Sequence, residues 1–205
     1  MTTERRVFEL KNVSKRFNES FALDTINLSL LSGEVHVIIG ENGSGKTALL
    51  RLLAGLYAPD SGKFFYNGQE QQFQGFSQAR QLGIMYRPQE PQLFDNLSIA
   101  ENLFFDHLPR NKLSGLDTIR LYDKTKKLLT ELGITLNPQA LAGTLGYAQR
   151  QLLEAAKACI GNNALVALDE PTTSLAEPER EILFSIVRRL RESGASIVYV
   201  SHRLD

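Results

Sequence analysis

One eight-residue stretch, "GENGSGKT" at residues 40–47, constrains the fold of this chain more than any other. The apolar run "VHVIIG" leads into it, and "KTALLRLLAGLY", with leucines at helical spacing, leads out of it. The stretch matches G-x-x-x-x-G-K-[ST], and strand before and helix after are the context that this motif requires. Gly40, Gly43 and Gly45 let the backbone curl so that successive N–H groups face phosphate oxygens, with Glu41, Asn42 and Ser44 between them. In such a turn Lys46 reaches β- and γ-phosphates and the Thr47 hydroxyl ligates Mg²⁺. The preceding run, apolar but for His36, reads as a strand buried on both faces, which is the pattern of a parallel sheet.

A second segment supplies the other half of a metal site. "LVALDE", residues 165–170, is a hydrophobic strand ending in two acids. Asp169, at the strand's carboxyl end, is placed to hold Mg²⁺, and Glu170 to orient or deprotonate an attacking water. Acids after a strand are common; paired with the phosphate-binding turn they point to phosphoryl transfer, which needs both halves.

The rest of the chain places these motifs in an α/β architecture. The first third reads as strands ("RVFELKNVSKRF", "FALDTINLSLLSGEV"), and "KFFY" followed by "NG" signals a hairpin. Residues 98–160 are mostly helical, with "TIRLYDKTKKLLTELG" stopping at Gly133. "PEREILFSIVRRLRESG" is a further helix, with Pro178 suited to its first position and Gly194 to its cap. "SIVYVS" is another buried strand. The stop at Asp205, just after that strand, leads to the expectation of a chain truncated at its C-terminus.

Charge and cysteine content narrow the function classes. Lys plus Arg and Asp plus Glu number 23 each, which gives no electrostatic footprint for duplex nucleic acid. The one cysteine, Cys159, excludes an internal disulfide and fits a reducing compartment. "MTTERRVFEL" has no apolar signal-peptide core, and nothing approaches the ~20 apolar residues of a membrane span. Service to a membrane would be as a peripheral partner.

Four segments in order carry a resemblance to the ABC ATPases: the phosphate turn, "YRPQEPQLFDNLSIAENL" (86–103), "LDEPTTSL" (168–175) and "VSHRL" (200–204). They resemble that family's Walker A, Q-loop, Walker B with D-loop, and switch-histidine segments. The resemblance implies a P-loop NTPase with a RecA-like core, an N-terminal antiparallel β-subdomain and an α-helical subdomain at about residues 90–160. It also implies that Phe17 stacks on adenine, with Phe21 as a competitor. Gln89 would contact Mg²⁺ and link the site to a membrane subunit, residues 174–177 would form the D-loop, and His202 would contact the γ-phosphate. His36 and His107 match nothing in the family pattern.

The family's signature, typically "LSGGQ", serves the ATP held on a second domain's P-loop. Here "LGYAQ" stands in its place: Leu145, Gly146, Tyr147, Ala148 and Gln149. Gly146 removes a hydroxyl donor, and the Ala148 Cβ restricts close backbone approach, so this signature is degenerate. The segments at 88–105 and 149–158 are most similar to the N-terminal ATPase half of sugar importers of the ribose, galactose and autoinducer-2 type.

That resemblance implies ATP and Mg²⁺ as cofactors. It implies as partners a second ABC ATPase domain (a fused half or a homodimer), transmembrane permease subunits and, indirectly, a solute-binding protein, with no nucleic acid. The expected location is the cytoplasmic face of the cell membrane. Two other readings stay open: a soluble ABC protein not engaged in transport, and a nucleotide-binding regulatory module that does not hydrolyse.

Overall fold

The computed structural model describes residues 6–17, 20–72, 75–111 and 115–202. The chain divides into two units. The first comprises Met1–Gln89, Asn162–Pro171 and Arg188–Asp205, and the second Glu90–Gly161 and Thr172–Val187.

The first unit is built on two sheets. β1 (Arg6–Phe17) pairs antiparallel with β2 (Ser20–Leu31) on one side and β4 (Ser61–Tyr66) on the other; β5 (Gln69–Gln71) extends the sheet, giving the order β2-β1-β4-β5. The β4–β5 connection is the hairpin that "NG" signals: Asn67 and Gly68 both have positive φ, 49° and 77°, as a two-residue primed turn requires.

The second sheet is parallel. β3 (Val35–Ile39), β6 (Ile84–Arg87), β7 (Leu165–Asp169) and β8 (Ser196–Ser201) lie in the order β3-β8-β7-β6. Every residue of β7 and β8 is buried, in line with their unbroken apolar runs. β3 departs from expectation. It is the edge strand of the described sheet, and Val37 and Ile39, on one face, are 51% and 47% exposed. Its apolar run resembles that of the two central strands, yet apolar composition records neither a strand's rank in the sheet nor what covers each face.

α1 (Lys46–Leu53) and the shorter α2 (Phe76–Gln81) complete this unit. Leu50 and Leu53 of α1 join one continuous core with Phe8 and Leu10 of β1, Leu165 and Ala167 of β7, and Val198 and Val200 of β8. The same helix that opens at the phosphate turn is thus anchored by fully buried leucines, each of which contributes about 1.5–3 kcal/mol of apolar transfer free energy.

The second unit is helical. α3 (Ile99–Leu103) opens with a capping box: Ser98 accepts from the Glu101 N–H, and Glu101 accepts from the Ser98 N–H. α4 (Thr118–Glu131) is capped by Asp117, and Gly133 follows it at φ 70°. α5 (Tyr147–Lys157) and most of α6 (Glu177–Glu192) also belong here. Pro178 is the second residue of α6, one position later than its sequence context suggests. Asn102, 1% exposed, accepts from the Phe94 N–H and donates to the carbonyls of Phe94 and Ser98, so one buried amide shapes the loop before α3. Among the described residues no helix is long and apolar enough to cross a membrane.

The junction of turn and α1 yields a stability contrast. Gly43 and Gly45 both have positive φ, 83° and 92°, but a Cβ on Gly43 would meet open space whereas one on Gly45 would lie 2.2 Å from the Ala22 carbonyl oxygen of β2. Gly43→Ala is expected to cost about 1–2 kcal/mol, the left-handed backbone penalty alone. Gly45→Ala should cost clearly more, because backbone would have to yield in β2. Urea unfolding of the two variants checks this, and equal losses would contradict it.

Candidate active site

The parallel register brings the motif-bearing ends together. Ile39 pairs with Ser201, Asp169 with Val200, and Arg87 with Leu168, so residues 40–47, Glu170, His202 and Gln89 all follow the carboxyl ends of neighbouring strands. In open parallel sheets this is the edge where ligands bind.

Lys46 is the first residue of α1, after Gly45 as cap, with no acidic residue in the first turn. A cation at a helix N-terminus opposes the macrodipole, and Lys46 is also buried, 9% exposed. Its Nζ donates to the carbonyls of Gly40 (2.7 Å) and Glu41 (2.8 Å), while Glu41, Asn42, Gly43 and Ser44 lie exposed on the turn. The lysine therefore closes the loop with its own charge, at a place whose dipole favours an anion.

Thr47 and Asp169 converge from α1 and β7. The Thr47 hydroxyl donates to Asp169 Oδ1 at 3.3 Å, and the Tyr86 hydroxyl donates to Oδ2 at 3.1 Å. Asp169 is 4% exposed. Burial, and beyond it the Asp169 carboxylate, push the Tyr86 hydroxyl up to about 12, against an opposing pull from Arg51. A hydroxyl and a carboxylate facing each other are a hard-oxygen set suited to Mg²⁺, which takes one or two protein ligands and completes its shell with water and substrate phosphates. Among the described residues no cluster of three or more His, Cys, Asp or Glu side chains offers a metal site made by protein alone.

Glu170 follows directly, 9% exposed and at φ 47°, a left-handed conformation rare for a non-glycine residue. Its N–H donates to the Val200 carbonyl at 3.1 Å, which holds the residue against β8. The His202 Nδ1 meets Glu170 Oε2, so acid and histidine share one contact across two strand ends. Backbone strain at such a site accords with its being held for chemistry rather than for packing.

The remaining residues lie as follows. Phe17, 41% exposed, ends β1, with its ring 4.9 Å from the Tyr57 ring in an edge-on contact. Asp60 accepts from the Arg16 N–H at 2.7 Å and from Lys15 at 2.8 Å, which fixes the strand end that carries Phe17. The Phe21 side chain lies outside the described ones. Gln89 is exposed, two residues past β6. His36 contacts Glu34 at 3.3 Å within its own strand region, apart from these groups.

In the second unit, Gly146 caps α5. Its N–H donates to Gln149 Oε1 (3.1 Å), and no side chain caps the helix. Tyr147, 44% exposed, lies along the helix with its hydroxyl accepting from Gln151 at 3.1 Å. Arg150 pairs with Asp95 and Lys157 donates to the Gln92 carbonyl, so the segment after Gln89 is strapped to α5 at two points. Ser174 stands at φ 70° in the turn before α6. Motif reasoning finds neither Tyr86, Arg51 nor Asn102: each acts through a bond that only strand pairing or loop closure creates.

Comparison with known proteins agrees with this architecture. The family described as "ABC transporter" matches residues 23–173. The chain is 41% identical over 205 residues to a ribose import ATP-binding protein of Mesorhizobium japonicum, covering 99% of this chain and 40% of that protein. It is 37% identical over 205 residues to a galactose/methyl galactoside import ATP-binding protein of Clostridium perfringens, covering 100% of this chain and again 40% of that one. The chain thus spans about two fifths of the length of these relatives.

Among solved structures, a nucleotide-free ATP-binding cassette from an ABC transporter matches with TM-score 0.82 at 25% identity, covering 98% of this chain and 83% of that one. The ADP conformation of the cassette MJ1267 matches with TM-score 0.82 at 26% identity, covering 98% and 82%. The chain belongs to the ABC transporter family, and its fold is that of an ATP-binding cassette.

The raised Tyr86 value has a sign that can be measured. Between the ordinary tyrosine value of 10.0 and about 12, the unfolded chain has released this proton and the folded one retains it. Stability contributed by Tyr86 is therefore complete below the lower value and is lost as pH rises through the window. Urea unfolding at about pH 9 and about pH 11 should show a smaller loss on alkalinisation for Tyr86→Phe than for the parent chain. Identical losses would contradict the burial of this hydroxyl.

Proposed function

We propose that this chain is the ATP-binding and ATP-hydrolysing domain that energises an importer of sugars or sugar-like solutes, acting on the cytoplasmic face of a membrane beside permease subunits. The observation that carries the reading is the convergence of Lys46, Thr47, Asp169, Glu170 and His202 at the carboxyl ends of three adjacent parallel strands. The import function is supported by the similarity to ribose and galactose import proteins, which are longer than this chain.

In this reading the triphosphate lies over the turn at residues 40–47, where backbone N–H groups and the N-terminus of α1 receive it. Lys46 exchanges its two carbonyl partners for β- and γ-phosphate oxygens. Phe17 offers its exposed ring to the adenine. Thr47 and Asp169, with Gln89, hold Mg²⁺, which when bound neutralises charge on the phosphates. Glu170 takes a proton from a water that attacks the γ-phosphorus as the bond to the ADP oxygen breaks, and His202 turns its ring toward the γ-phosphate. The substrate end of the transport cycle lies with the solute-binding and permease partners.

The degenerate signature assigns unequal sites to a two-domain assembly. Every group that handles this domain's own nucleotide is present, whereas the turn that would serve a partner domain's nucleotide carries Gly146, Tyr147 and Ala148. A Cβ on Gly146 would have only the Gln149 Oε1, at 3.9 Å, within 4 Å. Crowding therefore does not explain the missing hydroxyl.

Two substitutions separate binding from turnover. Lys46→Ala is expected to weaken ATP binding by at least tenfold, the equivalent of losing about 1.5–3 kcal/mol of charged hydrogen bonding. Glu170→Gln should bind ATP as the parent does yet lose most hydrolysis, since an amide cannot take the proton. Calorimetry and phosphate release by the full-length protein check both. Unchanged affinity in the first, or undiminished turnover in the second, would overturn the corresponding assignment.

A further inference from the structure

Arg51 lies inside α1, one and a half turns beyond Lys46, and the nucleotide reading gives it no task. Its guanidinium donates to the Tyr57 hydroxyl at 3.0 Å. Tyr57 and a second phenol, Tyr86, lead to different ends of the nucleotide site. Tyr86 donates to Asp169 Oδ2 at 3.1 Å, while the other oxygen of Asp169 faces the Thr47 hydroxyl at 3.3 Å. Tyr57 packs edge-on against the Phe17 ring at 4.9 Å.

We propose that Tyr86 is a positioning residue for the metal end of the site, and that Arg51, through Tyr57, positions the adenine-facing ring. The proposal rests on the reading of Thr47 and Asp169 as Mg²⁺ holders and of Phe17 as the adenine platform.

A carboxylate turns about its terminal torsion with little preference among orientations, so something must decide which oxygen faces Thr47. A phenol has one proton to give. Tyr86 gives it to Asp169 Oδ2, which leaves Oδ1 facing Thr47. The Arg51 donor likewise fixes the Tyr57 hydroxyl, and with it the ring that packs against Phe17. Neither Arg51 nor Tyr86 needs to touch nucleotide or metal for this effect.

The alternative is that Arg51, Tyr57 and Tyr86 only brace the core. A brace would change stability and leave the preference for Mg²⁺ over metal-free ATP untouched, and that preference is what the experiment reads. In the full-length protein, calorimetry would follow the binding event that Lys46→Ala removes, with ATP in Mg²⁺ and in EDTA. Asp169→Asn serves as the reference for loss of the metal-holding group.

Tyr86→Phe deletes one oxygen and keeps the ring. It is expected to weaken Mg-ATP binding about tenfold while metal-free ATP affinity stays within about twofold, as loss of a bond to a charged group predicts. Arg51→Met should weaken binding equally with and without metal, and Arg51→Lys should recover part of that loss. Tyr57→Phe should weaken binding equally with and without metal.

If Asp169→Asn erases the Mg²⁺ preference but Tyr86→Phe keeps it at the parent value, the positioning role of Tyr86 is overturned while the site reading stands; parent-like binding by both Arg51→Met and Tyr57→Phe would overturn that of Arg51. If Asp169→Asn itself keeps the parent preference, the metal-site reading falls and this inference with it.

Discussion

A lysine ammonium buried at the start of a helix, donating to two carbonyls of its own loop, is the contact on which the rest of this structure turns. The charge sits where the α1 dipole is least welcoming to a cation, and it is sheltered only because the turn wraps it with the carbonyls of Gly40 and Glu41. Such an arrangement is stable as a local compromise and improves when an anion arrives. The surrounding structure keeps it in place: β3 delivers the turn, the Gly45 backbone lies against Ala22 of β2, and the leucines of α1 fix the helix in the core. The antiparallel sheet thereby supports the phosphate turn directly, since its backbone sets which residue fits at position 45.

The parallel sheet supplies the second constraint. Strands running in one direction, paired in register, must release their connecting loops at one edge, and here those loops carry residues 40–47, Gln89, Glu170 and His202. Asp169 is aligned with Val200, and Ile39 with Ser201, so the proximity of Asp169, the strained Glu170 and His202 follows from register rather than from any affinity among the loops. Glu170 adopts its left-handed backbone because its N–H is held by Val200 while the chain turns away. Strain there is offset by the buried β7 and β8 around it.

Much of this was legible in the sequence because the informative patterns are local. The glycine spacing of residues 40–47, the acids closing "LVALDE", the "NG" hairpin and the stop of α4 before Gly133 each lie within a few residues. What escaped was long-range. Tyr86 only opens the segment that carries Gln89 until β6 pairs with β7 and its hydroxyl comes within reach of Asp169, 83 positions away in the chain. Arg51 reads as a polar interruption of a leucine-rich helix. Asn102 reads as part of "AENL", although its amide organises a loop that begins eight residues earlier. The exposure of Val37 and Ile39 escaped for the complementary reason: an apolar run states that burial is favourable, not that a covering element is present.

In the proposed function, Lys46 exchanges its loop carbonyls for phosphate oxygens. A crystal structure of the full-length protein with Mg²⁺ and a non-hydrolysable ATP analogue tests it most directly. The account predicts the Lys46 ammonium turned from the Gly40 and Glu41 carbonyls onto the β- and γ-phosphates, with the metal between the Thr47 hydroxyl and Asp169. Nucleotide bound at another place on this domain, with Lys46 still on both carbonyls and no metal between Thr47 and Asp169, would contradict it.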